Sequence, residues 1–309
     1  MQSEQLILVT GGCGFIGTNL TLKLLAAGAR VRILDNFVGG EWSPVLRSAA
    51  EIMRGDIRDD VVVAAALRGV SKVVHLAAFG SVIASIRDPR ANFDVNVAGT
   101  INLLQAAVAA KTSKFIFAST GGAAIGEHSG PVNEGVVPRP LSPYGAGKVA
   151  GEAYCHAFSK TLGLNAVSLR FANVYGPHSS HKTSAVTRFL KAARDDEPIE
   201  IYGDGLATRD FLYVDDLCEG ITRALDTDVH PGSIFHLASG VETSVNQLLR
   251  TVLDVAGKAQ HPVRHLPRRA GEVEKNFASF ELAKKSLGFS PSVKLVEGIA
   301  RTWKWMKDN

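Results

Sequence analysis

Tyr144 and Lys148 stand four residues apart in the stretch "SPYGAGK". On a helix that spacing puts both side chains on one face, about one turn apart. A phenol titrates near ~10, too high for a base at neutral pH. An ammonium group held beside it favours the phenolate and lowers that value, so the pair makes a general acid/base of adjustable strength. The helix they need is signalled locally: Ser142 suits the N-cap and Pro143 the first helical position. A Tyr-x-x-x-Lys pair alone is common on solvated helix faces, so the weight of the reading rests on the rest of the chain.

The elements that must carry such a pair are legible from the N-terminal end onward. Leu6 to Thr10 is an apolar run that stops at glycines, which reads as a buried parallel strand rather than a signal peptide. "TGGCGFIG" follows, with Gly11, Gly14 and Gly17 at spacings of three; a helix is expected from Phe15 to Ala27, and a second strand from Val31 to Leu34 ends at Asp35. Strand, glycine loop, helix, strand and acid make a dinucleotide-binding unit. Glycines let the backbone approach a pyrophosphate, and the helix N-terminus offers it free N–H groups. Asp35 lies 18 residues past Gly17, close to the expected ~20, where a carboxylate binds a ribose 2′-hydroxyl and repels a 2′-phosphate. NAD is therefore the expected cofactor, and Arg32, earlier in the strand, is not expected to rescue NADP.

The alternation continues. Strands are expected at Glu51–Arg54, Lys72–Leu76, Lys114–Ser119 and Asn165–Arg170, with helices at Val61–Leu67, Asn92–Ala110 and Pro143–Leu162. Repeated strand–helix units imply an α/β fold, a doubly wound parallel Rossmann sheet. Its ligands lie beyond the carboxyl ends of the strands, at Gly11–Gly17, Asp35, Asp56, Ala77–Ala78, Ser119–Thr120 and Phe171–Asn173. After Asn173 the regularity fades. Helices near Val186–Ala193, Val214–Leu225 and Val245–Val255 and strands at Ile199–Tyr202 and Ile234–Leu237 suggest a smaller, mostly C-terminal α/β substrate lobe, ending in a helix near Leu295–Met306. The domains expected are 1–173, binding NAD, and 174–309, binding substrate, with about 207–240 returning to the Rossmann part.

Composition excludes several classes. A net charge of +4 over 309 residues, with no basic run interleaved with aromatics, argues against nucleic acid as a partner. No apolar stretch reaches membrane-spanning length. Cys13, Cys155 and Cys218 are scattered and odd in number, which implies no disulfide framework, no metal site and a cytoplasmic location. His178 and His181 in "HSSH" have no carboxylate or cysteine partner nearby in sequence and read as loop. Cys13 is small filler whose thiol the nearby helix N-terminus could lower. Asp215–Asp216 suit a helix N-cap and first turn better than catalysis.

Taken together the chain resembles the extended short-chain dehydrogenase/reductase superfamily, in its nucleotide-sugar epimerase/dehydratase branch. The resemblance is carried over nearly the whole chain by "TGGCGFIG", "LDN" (Leu34–Asn36), "GDIRD" (Gly55–Asp59), "HLAA" (His75–Ala78), "NVAGT" (Asn96–Thr100), "ASTGGA" (Ala118–Ala123), "SPYGAGK", "LRFANVYGP" (Leu169–Pro177), "YGDGLATRDFLYVDD" (Tyr202–Asp216) and "RRAGE" (Arg268–Glu272). It implies that Phe15, Ile16, Asn36 and Asn96 join the cofactor site, that Asp56 and Ile57 flank the adenine, and that Ala77 and Ala78 line the NAD path. Tyr144 would be the base, and Lys148 would hold the nicotinamide ribose. Asn173 and Arg209 would hold the sugar nucleotide's diphosphate, and Arg269 and Glu272 its diphosphate and uridine ribose.

At Ser119–Thr120 the family's dehydratases usually carry an Asp-Glu pair, because eliminating water needs an extra acid and base. Two hydroxyls resemble instead the C4-epimerases, where one relays a proton between sugar O4 and the tyrosine. Thr120 fills that slot, with Ser119 the fallback. Ile125, where many relatives have tyrosine, implies a more apolar wall. Asn276 matches a gate that is bulky in glucose/galactose-restricted relatives, and its small amide implies tolerance of N-acetylated sugars. The expected activity is NAD-dependent 4-epimerisation of a UDP-sugar, UDP-N-acetylglucosamine first and UDP-glucose second, through a 4-keto sugar. The rivals are a dehydratase or reductase of the same family and a non-catalytic NAD-binding regulator. A homodimer pairing helices Asn92–Ala110 and Pro143–Leu162 is also implied.

Overall fold

The computed structural model describes residues 5–39, 46, 50–268 and 273–309. Six strands come first in the chain: β1 (Leu6–Thr10), β2 (Arg30–Asp35), β3 (Glu51–Arg54), β4 (Lys72–His75), β5 (Lys114–Thr120) and β6 (Ala166–Phe171). With Ile234–Leu237 they form one sheet in the order 234–237, β6, β5, β4, β1, β2, β3, and every neighbouring pair is parallel. The order reverses between β1 and β4, the switch point at which such sheets bind ligands.

Alternation along the strands builds a core on each face. Ile7 and Val9 of β1, with Ile116 and Ala118 of β5, pack with α1 (Phe15–Ala26) and the helix Val214–Asp226. Leu6, Leu8, Phe115 and Phe117 face the other way, towards the helices Asp60–Ala66 and Gly99–Ala109. Over that same face lies the helix Pro143–Leu162, which starts as its sequence signals: Ser142 Oγ accepts from Gly145 N–H at 3.2 Å, and Pro143 opens the first turn. A third core, around Phe189, Ile201, Phe211, Leu248 and Trp303, belongs to the lobe beyond the strand ends. The helices Ala185–Asp195, Val245–Ala256 and Leu295–Asp308 pack together there.

The helix expected over Asn92–Ala110 is instead three pieces, Pro89–Phe93, a π-helical turn Asp94–Ala98 and Gly99–Ala109. The wide turn falls where Asn96 reaches the Phe79 backbone and where a Cβ on Gly147 of the facing helix would come within 3.3 Å of Asn96. Short strand pairs in the lobe, such as Lys275–Asn276 with Thr208–Arg209, carry no period that a two-residue strand could reveal. No helix among the described residues is long and apolar enough to cross a membrane.

Candidate active site

The glycine loop is folded on itself at van der Waals limits. Gly11 has φ +69°, and a Cβ there would lie 2.7 Å from Ala77 N; one on Gly17 would lie 2.2 Å from Gly11 O. Gly14 differs: its Cβ would meet only Gly11 O, at 3.3 Å. Gly14 is also the N-cap of α1, with no side-chain cap and no acid in the first turn. The first-turn N–H groups of such a helix are left for an anion, so the loop fits a pyrophosphate. Phe15 is buried in the core and Ile16 packs against it, which leaves backbone N–H groups as what these two residues offer a ligand.

Asp35 ends β2 beside this loop. One carboxylate oxygen accepts from Cys13 N–H at 2.9 Å and the other from Phe37 N–H at 2.8 Å, so the acid is fixed where a ribose would arrive. Arg32 is occupied elsewhere, ion-paired with Glu51 and donating to the carbonyls of Ala66 and Arg68. Asp56 receives Asn36 Nδ2 at 3.0 Å, the Arg58 backbone N–H and two guanidinium nitrogens of Arg58, which holds its carboxyl well below the usual range. Ile57 is 5% exposed and packs under Gly99. Ala77 and Ala78 follow β4, and Ala77 N–H donates to Thr10 Oγ1. Asn96 is buried, with its amide bonded on both sides to the Phe79 backbone, so its side chain braces the loop after Ala78. Behind it His75, which the HLAA motif contains without a role assigned, bridges Thr10 and Thr100, and burial pushes its imidazole down to about 3.

Glycines bring the Tyr144 helix close to β5. A Cβ on Gly145 would lie 2.0 Å from Ala123 O, and one on Gly151 2.3 Å from the Phe117 ring. Lys148 is buried; its Nζ donates to Ala118 O at 2.8 Å and sits 4.9 Å from the Phe117 ring centre. Burial brings this ammonium down to about 8. Tyr144 is half-buried, and its N–H donates to Ser85 Oγ. Burial pushes its phenol up to about 12. Lys148 Nζ is turned to Ala118 O, and burial sets the direction of the Tyr144 shift.

Ser119 and Thr120 part company at the end of β5. Ser119 Oγ donates to Glu152 Oε1 at 2.5 Å, and Glu152 is held by Arg170 through two bonds of 2.8 Å. All three are buried. Thr120 lies at the open strand end and caps the short helix Gly121–Ile125 without using its side chain. Glu152 was not singled out in sequence, although it stands four residues after Lys148 and so extends the Tyr144–Lys148 stripe by one turn.

Arg209 and Asn276 are partners in register between Thr208–Arg209 and Lys275–Asn276. Arg209 donates to Thr208 O and Glu274 O. Asn276 is 6% exposed, its amide lies beside Gly122, and its Nδ2 has no hydrogen-bond partner among the described residues. Asn173 is exposed, and its N–H donates to Asp210 O. Asp210, also unread in sequence, is fully buried and accepts from Ser239 N–H and Oγ, Gly240 N–H and Ala278 N–H. It thereby joins the loops that carry Arg209 and Asn276. Arg269 and Glu272 lie outside the described residues.

Ile125 is buried with Val132, Ala238 and Ala278. Asp216 receives the N–H groups of Ser292 and Val293 in the first turn of its helix. His178 packs on Trp305. Cys13 is buried, and burial with the Asp35 charge pushes its thiol up to about 12, against the lowering expected from the helix end.

The model of the NAD dependent epimerase/dehydratase family matches residues 7–238. A putative UDP-glucose 4-epimerase of Methanocaldococcus jannaschii is 38% identical over 98% of this chain and 99% of its own length. The UDP-glucose 4-epimerase of Thermotoga maritima, solved with UDP-glucose, superposes with a TM-score of 0.94 at 35% identity over 98% of this chain and 99% of that one. That of Thermus thermophilus, solved with NAD, gives 0.91 at 35% identity, with 98% and 99% covered. With the motif order, the sheet order and these full-length matches agreeing, the chain belongs to the NAD dependent epimerase/dehydratase family.

Proposed function

We propose that the protein is a UDP-sugar 4-epimerase that acts on UDP-glucose and on UDP-N-acetylglucosamine. The observation that carries this reading is the helix bearing Tyr144 and Lys148 against a strand end with hydroxyls and no free acid. Tyr144 takes the proton from sugar O4, directly or through the Thr120 hydroxyl, and later returns it. Lys148 supplies positive charge beneath the phenol. When bound, NAD supplies a hydride acceptor and donor for C4 and a cationic ring that favours the phenolate. The 4-keto sugar turns about its diphosphate and is reduced on its other face, so net redox is zero. Arg209, with Arg269, suits the diphosphate because a guanidinium fork binds two oxygens at once, and Glu272 the uridine ribose. Asn173 opens the short strand Asn173–Tyr175, which pairs with Phe211–Tyr213.

Dehydration is disfavoured by the same strand end. Ser119, Thr120, Gly121 and Gly122 offer no acid, and the nearby carboxylate, Glu152, is closed off by Ser119 and Arg170. Tolerance of the N-acetyl group is supported by Asn276, whose small side chain has an amide N–H with no hydrogen-bond partner among the described residues. The groove between Pro89–Val97 and Pro143–Ala150 is lined by Phe93, Val97 and Ala150, and Phe93 is 49% exposed. This is the face proposed for a homodimer, which light scattering should report at twice the chain mass.

The test is proton NMR of the purified protein with UDP-N-acetylglucosamine and, separately, UDP-glucose, following the anomeric signals. Growth of the galacto-configured signal in both is expected. A 4-keto-6-deoxy product, or no change with either sugar after NAD is added, would overturn the reading.

A further inference from the structure

The base and the hydroxyl proposed above sit on two different elements, the helix Pro143–Leu162 and the end of β5. Their relative position is therefore a packing problem. Two polar ties solve it. Lys148 Nζ holds Ala118 O, and one turn further along Glu152 holds Ser119 Oγ. The second tie is clamped in turn: Arg170 of β6 grips both Glu152 oxygens, and side-chain exposure in the pair is 2% and 4%. Consecutive strand residues point to opposite faces. Capturing the Ser119 hydroxyl beneath the helix thus sets the direction of the next residue, Thr120.

We propose that Glu152, clamped by Arg170, is a positioning residue: it locks the Tyr144 helix to the end of β5, takes Ser119 out of reach of the sugar and leaves Thr120 as the hydroxyl that faces it. The inference rests on the epimerase reading. A buried ion pair is weak evidence of stability in itself, because well-packed apolar residues of similar volume often replace one at no cost. That property separates positioning from mere structure. Near Lys148, the Glu152 charge also opposes the fall that burial imposes on the ammonium, which reinforces the geometric tie.

The decisive variant is the double change Glu152→Leu/Arg170→Met, made in the full-length protein and assayed with UDP-glucose. The expected result is a folded protein with parental NAD content and KM within about threefold, and kcat lower by about 30- to 100-fold, as misplacement of reacting groups by ~1 Å produces. A merely structural pair would move the melting temperature and leave kcat and KM together. A folded double variant with kcat within about threefold of the parent overturns the proposal. If the double variant does not fold, Ser119→Ala decides, since it removes one hydroxyl and keeps the ion pair. A kcat reduced about tenfold at unchanged KM is then expected, with Thr120→Ala the more damaging change; an unchanged kcat, or a loss in Ser119→Ala larger than in Thr120→Ala, overturns the proposal. A parent protein inert towards every UDP-sugar would instead bring down the epimerase reading, and this inference with it.

Discussion

The two halves of the site are built by different physics. The pyrophosphate and ribose end of the expected cofactor site is made of backbone: glycines at van der Waals limits, a helix end and an acid fixed by N–H groups, within the first 37 residues and packed on Ala77. The side proposed for the sugar is assembled from distant stretches around Asn173, Arg209, Ser239 and Asn276, with the buried Asp210 tying them through the N–H groups of Asn173, Ser239, Gly240 and Ala278. A local design withstands change in the rest of the chain but not in its own backbone. The distributed design has the opposite weakness.

The largest expected effect lies where the halves meet. Tyr144→Phe should keep its fold and its NAD and lose about 10²- to 10⁴-fold in kcat, the span of a positioned acid/base. Near-normal turnover would mean that another group takes the O4 proton.

Next come two glycines only three residues apart. Gly17→Ala drives a Cβ to 2.2 Å from Gly11 O. It should cost about 3 kcal/mol, the scale of overpacking, and be visible in both thermal melting and NAD content. Gly14→Ala meets little protein, so it should melt near the parent and still hold less NAD. Equal losses of stability would remove the distinction between a glycine needed by the fold and one needed by the ligand.

Asp210→Asn probes the other half. It removes an acceptor from buried N–H groups, at about 1–3 kcal/mol. KM for the UDP-sugar should rise about tenfold while NAD binding holds. A change in NAD rather than KM would show that the halves are not separable.

Acid touches turnover least and acts on the fold instead. Burial pushes His75 and, with the Arg170 charge, His236 down to about 3. Below the unfolded value of ~6.5 the unfolded chain binds protons that the native one refuses, so stability falls as pH falls, by about 1.4 kcal/mol per pH unit for each histidine. Urea midpoints between pH 7 and 5 measure this; no loss in that window would mean that the two rings are protonated in the fold.

This contrast also explains what could be read in advance. β1 and the Pro143–Leu162 helix have the bounds their residues signal, because an apolar run ended by glycine and a Ser-Pro start are local causes. The parallel sheet follows from their repetition. Glu152 carries no local mark, and His75 and Asp210, though inside motifs, show no role until the fold buries them beside their partners. The motif alignment favours Thr120 over Ser119, and the structure adds a physical difference, the bond from Ser119 to Glu152. The direction of Lys148 towards Ala118 O carries no local mark either, since it depends on how the helix meets β5.

The most direct test of the account is the fate of the hydrogen on C4. Epimerisation by transient oxidation within one closed site returns the same hydrogen to the opposite face. UDP-glucose carrying deuterium at C4, turned over in ordinary water, should give UDP-galactose with the label still at C4. Label lost to solvent during inversion would contradict it.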